Sequence, residues 1–380
     1  MPASATRRRL LLGIPASALL GTISARSQPV RATATGRTPE IVQIVDSSPG
    51  QLDVSRDFLI GSRAAWQEFN ARGGLRGRPV QHTVVEVDGS PGSLRQAVDQ
   101  VRLQPASVAL CGTCGDRTAG LLEQLLRQDG PEIAHVAPWL HQDQATAPEQ
   151  RTFPIFASRR EQIAHALKSL SVIGVAELGV VYAAPQEQAL YQTDVARIAA
   201  DLQLRTVPYL PNDSLQHLAQ RFSPRTPAIL LFVGGTPELA QFTQGLEKQD
   251  RQRYVIGLAD VNLQTLNQIG AARSTPVIAT QVVPMVTASV PIVRAYRETM
   301  ARLFDEPPNP LSLSGYIAAR YAQDVLQQLD AGATRAQVLQ AFQKSGSRDL
   351  GGFRVAFQAQ RRVSAYVTQS MLSADGRILG

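Results

Sequence analysis

The sequence predicts an α/β protein made of two doubly wound, open, mostly parallel sheets, and three observations carry that expectation. Short apolar runs bounded by Gly, Pro and small polar residues alternate with longer segments whose apolar residues recur at helical spacing. That alternation runs from residue 41 to residue 141 and starts afresh near Glu161. The chain has 380 residues, enough for two ordinary domains, and is 44% hydrophobic and 18% charged, which excludes a disordered chain.

Taken in order, residues 41–45 read as a first buried strand that ends in a small-polar turn, Asp46-Ser47-Ser48-Pro49-Gly50. Residues 55–71 follow as a helix with Leu59, Ala65, Trp66 and Phe69 on one face. Gly73-Gly74 stops it, because glycine takes the left-handed conformation beyond a helix C-terminus without strain. Residues 79–87 give a second strand and 93–103 a second helix. Residues 107–127 then form strand, glycine-rich turn and helix, and 133–136 a short strand ending at Trp139 and His141. The second set contains helices at 161–172, 185–202 and 237–248 and strands at 178–183, 228–233 and 254–258. Residues 277–284 are extended, helices follow at 291–303, 314–329 and 335–343, and 353–357 with 363–368 alternate as a hairpin around 359–361.

The stretch 107–127 is the most informative. Strand, small-residue turn and helix place unpaired backbone N–H groups at a helix head, which suits a carboxylate or other anion. The turn also holds Cys111 and Cys114, the chain's two cysteines. In an oxidising compartment they could form a short-range disulfide, although so small a loop would stabilise little. In open α/β sheets ligands sit beyond the C-terminal strand ends. That rule selects Ser47-Ser48, the 112–116 turn and the 139–141 turn.

The formal net charge is +7, but residues 1–27 carry Arg7, Arg8, Arg9 and Arg26 and no acid, leaving 34 basic against 31 acidic side chains. No basic cluster with interleaved aromatics is present in that remainder, which argues against a nucleic-acid partner. The three arginines precede an apolar run at 10–20, too short to span a bilayer, followed by small residues with Ala25 and Ser27 placed for cleavage. An export signal over residues 1–27 is expected, with no lipid anchor and no membrane insertion after cleavage. The five histidines are dispersed without metal-ligand spacing, and neither metal nor cofactor is expected.

Gly61, Ala64-Ala65 and the run from Phe69 to Pro79 (FNARGGLRGRP) resemble the N-terminal signature of type I periplasmic binding proteins of the leucine/isoleucine/valine-binding group. Gly315-Tyr316-Ile317-Ala318-Ala319 and residues 349–357 are similar to that group's later segments. The resemblance implies two lobes joined by three crossings, closing on a small molecule that a membrane ABC permease then receives, in a monomer that is not an enzyme. It places the lobes at 38–155 plus 290–346 and 156–289 plus 347–380. By position it assigns a ligand carboxylate to the 112–116 turn with Thr113, Gly115 and Asp116, further contacts to Trp139 and His141, an aromatic position near Glu187 and an ammonium acceptor near Asp260. Ser47 and Ser48 complete the expected set, with Trp139 over the ligand's apolar body. The departures at Gly115, Trp139, His141 and Glu187 argue against an ordinary branched-chain amino acid. A periplasmic thiol–disulfide protein using Cys111 and Cys114, or a ligand-sensing subunit of a signalling receptor, are the alternative functions.

Overall fold

A computed structural model describes residues 38–142, 150–358, 361–373 and 377–379, so the expected export signal lies outside the described residues. The first alternating set forms β1 (Glu40–Asp46), α1 (Leu52–Ala71), β2 (Gln81–Val87), α2 (Pro91–Leu103), β3 (Ser107–Cys111), α3 (Asp116–Gln128), β4 (Ala134–Val136) and β5 (Thr152–Phe153). Its strands pair in parallel in the order β2-β1-β3-β4-β5. Alternate residues of β1 explain the two layers. Ile41 faces a core with Phe58, Trp66 and Tyr316, whereas Val42 and Ile44 face Leu94, Val98 and Leu122 of α2 and α3.

The second set comprises α4 (Arg159–Val172), β6 (Glu177–Tyr182), α5 (Pro185–Asp201), β7 (Arg205–Tyr209), α6 (Leu215–Gln220), β8 (Ile229–Val233), α7 (Thr236–Leu246), β9 (Tyr254–Gly257), α8 (Leu263–Gln268) and β10 (Val277–Gln281). After it come α9 (Pro291–Leu303), α10 (Pro310–Leu326), α11 (Arg335–Gln343), β11 (Ser347–Asp349), β12 (Arg354–Gln358), β13 (Arg361–Arg362), β14 (Thr368–Leu372) and β15 (Ile378–Leu379). The second sheet runs β15-β14-β10-β9-β8-β6-β7, parallel except for β14 and β15. In both sheets the first strand of the set lies between the second and the third, so each lobe has its topological switch beside that strand.

Several sequence expectations needed tertiary information. The strand β7 contains Pro208 and escaped the periodic reading; it occupies the sheet edge, where a missing N–H is tolerated. The expected hairpin of 353–357 with 363–368 does not form: β12 pairs with the two-residue β13, residues 363–367 carry no strand, and Thr368 begins β14 on the edge of β10. Phe353 and Val355 join the core around Phe58 and Tyr316, so only β14 and β15 of the C-terminal segment extend the second sheet.

The glycines of the resemblance have a packing reason. Helices α1 and α10 cross in backbone contact: a Cβ on Gly61 would lie 1.7 Å from the Ser312 carbonyl oxygen, and one on Gly315 would lie 1.8 Å from that of Phe58. Polar bonds then tie the pair along its length, from Ser62 Oγ to the Gly315 carbonyl (3.2 Å), Tyr316 OH to Glu68 (2.6 Å) and Gln323 Nε2 to the Ala65 carbonyl (3.0 Å). Asn70 donates to and accepts from the Val80 backbone, both at 2.8 Å, and so aligns β2 after the Gly73-Gly74 turn. Gly315→Ala is expected to destabilise the protein by about 3 kcal/mol, the upper range for overpacking a rigid contact, as read by urea denaturation.

Candidate functional site

At the switch of the first sheet, the last residue of β1 sets the geometry. The buried Asp46 carboxylate accepts from the Ser48 N–H (2.9 Å) and Thr118 Oγ1 (2.6 Å). Gly115 begins α3 with φ 100°, and a Cβ there would meet the Asp46 Cβ at 2.7 Å. Glycine is therefore required by Asp46 as well as by the turn. Ser47 donates both its N–H and its hydroxyl to the Val87 carbonyl, an interaction that holds β1 to β2 and uses the hydroxyl's proton. Thr113 is fully buried; its carbonyl accepts from the Trp139 N–H at 2.8 Å, while its hydroxyl has no partner. The head of α3, expected to be free for a ligand anion, thus already faces Asp46 and carries Asp116 in its first turn.

The other expected residues converge on one carboxylate. Asp260 follows β9 in the second lobe and is buried. Trp139 Nε1 donates to its Oδ1 at 2.8 Å, His141 Nε2 lies 3.3 Å from the same oxygen, and the Arg159 guanidinium pairs with Oδ2. Arg159 also reaches Asp116 Oδ2 at 3.2 Å, and Asp116 Oδ1 accepts from the His141 N–H at 2.6 Å. Burial alone would raise the Asp260 carboxyl, but Arg159 first, then His141 and Trp139, hold it far below the ordinary carboxylate range. Arg159 is buried too, and Asp260 and Asp116 keep it charged. The sequence reading missed this arginine, whose one local signal is its position just after Ser158 in a capping box with Glu161.

Trp139 is 1% exposed and packs edge-on against Phe58 and His141, with Phe156 tilted beside it. It is therefore a wall shared by the two lobes. Asp116 neither caps α3, a role taken by Gly115, nor points alone into the cleft. Glu187 stands in the first turn of α5; burial raises its carboxyl, and its Oε2 is buried without a partner. Asp53, which the sequence reading did not select, opens α1 in the same way, its carboxyl raised by burial and Thr236 of the second lobe beside it. A cavity of about 420 Å³ lies beside Asp53, lined also by Arg56, Asp57, Thr236, Gln264 and Glu306 and by none of the site residues expected from sequence.

The cysteines do not form the disulfide considered from sequence. Both thiols are free and buried, with Cys111 Sγ directed to the Ala318 carbonyl and Cys114 Sγ to that of Val54. Burial pushes the Cys111 thiol up to about 12 and Cys114 higher still, the reverse of the activation a redox dithiol needs. Their place in the turn is explained by packing, as small apolar residues in the first-lobe core.

Two lobes with matching strand order, and a buried polar cluster between their switch points, agree with what the sequence comparison finds. Residues 42–376 match the model of the periplasmic binding protein family. The chain belongs to this family. Its members are exported, bind small molecules and work with ABC transporters. Among solved structures it is similar to an extracellular ligand-binding receptor from Verminephrobacter eiseniae, at 18% identity and TM-score 0.78, covering 90% of this chain and 100% of that one. It is likewise similar to a possible leucine/isoleucine/valine-binding protein from Rhodopirellula baltica, at 19% identity and TM-score 0.77, covering 92% and 98%. The isoleucine complex of a branched-chain amino acid transporter substrate-binding protein from Streptococcus pneumoniae matches at 11% identity and TM-score 0.75, covering 90% and 98%. At these identities the likeness shows the shared fold. No curated protein matches the chain.

Two measurements probe the periplasmic binding protein site. Asp260→Asn is expected to cost about 4 kcal/mol near neutral pH, because it leaves Arg159 buried against Asp116 alone. The folded carboxyl titrates below its ordinary 3.8, so its contribution is complete above that value and is lost as pH falls below it. The stability gap between wild type and Asp260→Asn in denaturation should therefore shrink on going from about pH 6 to about pH 3. Thiol titration of the native protein should find both cysteines unreactive, and denaturation should release them together.

Proposed function

We propose that this chain is an exported solute receptor that captures a small carboxylate-bearing metabolite, an amino acid or related organic acid, between its lobes and delivers it to an ABC permease. One observation carries the ligand-binding part. Among the described residues, seven buried side-chain oxygens and nitrogens without a hydrogen-bond partner belong to Gln51, Asp53, Ser55, Thr113, Arg159 and Glu187. These come from the heads of α1, α4 and α5 and from the turn after β3. A buried polar atom left unpaired costs about 1–3 kcal/mol, so such a concentration is sustained where a ligand completes the bonds.

In this reading the Thr113 hydroxyl and the Arg159 Nε–H, buried donors without a partner, meet the ligand's carboxylate. Glu187 and Asp53 meet its donors from opposite lobes, and Trp139 closes over its apolar part. Contacts that engage only when both lobes are present favour the closed form, since a ligand shifts a conformational equilibrium by its differential affinity for the two states.

The chain has two tryptophans, and they divide the work of reporting. Trp66 lies in the first-lobe core, whereas Trp139 bonds across the lobes. A thermal-shift screen of amino, hydroxy and keto acids should yield ligands that raise Tm and change tryptophan fluorescence. Trp139→Phe should abolish the fluorescence response while leaving the Trp66 signal. A screen in which no carboxylate raises Tm would remove this ligand class.

A further inference from the structure

The cavity beside Asp53 is acidic, and its acids are poorly matched. Asp53 and Asp57 stand one turn apart on α1, where like charges at i and i+4 repel, and Glu306 joins them from the segment between α9 and α10. Both Asp53 carboxylate oxygens are buried without a hydrogen-bond partner. Thr236 stands beside them, but its hydroxyl donates to the Asp260 carbonyl at 3.2 Å and accepts from the Asn262 N–H at 2.9 Å. Asp57 accepts from Asn262 Nδ2 at 2.8 Å, a neutral donor. Arg56, the basic residue of the lining, is exposed, and among the described residues no ion pair joins it to these acids. An acid in a first turn is ordinary, because a helix N-terminus favours it. Two buried carboxylate oxygens with no donor are not, since their lost hydration is left uncompensated.

We propose that this cavity seats an organic cation that carries N–H donors, a primary alkylammonium or guanidinium group, with Asp53 as its principal acceptor and Asp57 and Glu306 completing the negative surround. The inference rests on the reading of Asp53 as a ligand acceptor and names the chemistry that it accepts. Hydrogen bonds from a charged donor to a carboxylate are the strong ones, and such a donor supplies both the bonds and the counter-charge that Asp53 lacks.

The lining selects that class over other cations. About 420 Å³ admits a small organic molecule, and among the described residues no three His, Cys, Asp or Glu side chains are grouped to hold a metal ion. The lining contains no aromatic ring, so a quaternary ammonium group, which is recognised by aromatic faces, finds none here. Leu52 and Ile269 are exposed at the cavity, and with Pro49, Pro237 and Pro307 they offer an apolar surface to an alkyl arm. Burial raises the carboxyls of Asp53 and Asp57, and a cation seated against them would reverse that shift. The same cationic group occurs on a free amine and at the far end of an acid such as 5-aminopentanoate, and the experiment separates the two.

Calorimetry on the full chain uses four probes: 1,4-diaminobutane, 5-aminopentanoate, pentanoate and choline. They are titrated into the wild type, into Asp53→Asn, which keeps the shape and removes the charge, and into Asp250→Asn, an exposed acid outside the lining. Wild type should bind at least one of the two amines, and Asp53→Asn should weaken that binding about tenfold or more while Asp250→Asn leaves it unchanged. Binding of 1,4-diaminobutane with neither acid upholds the cation site and goes against the carboxylate reading. Tighter binding of 5-aminopentanoate than of the diamine or pentanoate puts both groups on one ligand and upholds both. Binding of pentanoate with neither amine overturns the cation site and leaves the carboxylate reading standing. Choline bound as tightly as the amines, or amine affinity unmoved in Asp53→Asn, overturns the recognition of N–H donors by Asp53. Absence of binding by all four overturns the cation site, and the wider carboxylate screen then decides the other reading. If Asp53→Asn does not fold, the wild-type order decides: an amine ahead of both pentanoate and choline upholds the site, and any other order overturns it.

Discussion

The ion pair between Arg159 and Asp260, extended to Asp116, Trp139 and His141, is the contact on which the arrangement of the two lobes depends. Three of these groups belong to the first lobe and two to the second, and all are almost completely buried or close to it. Removing two charges from water is costly, and the cost is offset here because Asp260 receives donors on both oxygens and Arg159 meets two carboxylates. Such a contact has one good geometry. It therefore defines a particular relation of the lobes more sharply than apolar packing, which tolerates sliding.

The rest of the fold places those five side chains. In each sheet the strand order puts the C-terminal ends of neighbouring strands at a shared edge of the cleft. Asp46 joins the turn after β1 to the head of α3, and the close crossing of α1 and α10 at Gly61 and Gly315 fixes the helix that carries Asp53, Ser55 and Phe58. Phe58 in turn supports the Trp139 ring. A chain of rigid contacts thus runs from the backbone of two helices to the indole that bonds Asp260.

Most of the architecture was legible from periodicity and glycine placement, since apolar strands, amphipathic helices and turn residues are local properties. The elements that escaped, such as β7 with its proline and the short α6, are those whose stability comes from neighbours and not from their own pattern. The site was legible in part. The strand-end rule drew attention to Thr113, Gly115, Asp116, Trp139 and His141 because topology places the ends of successive strands together. The same reasoning could not show that Trp139 would be spent on Asp260, that Ser47 would be spent on Val87, or that Asp53 would stand opposite Thr236.

By itself the sequence determined the two α/β lobes, the family resemblance through Gly61, the 69–79 run and the Gly315-Tyr316 pair, and the segments from which a site could be made. Only the tertiary structure decided how charge is distributed within that site. Arg159 and Asp260 are separated by 101 residues, and Asp116 lies 43 residues before Arg159. No local pattern records which of several acids such an arginine will neutralise. That choice arises when two lobes bury the groups together, because in a low-dielectric interior each charge must find a partner while an exposed one need not.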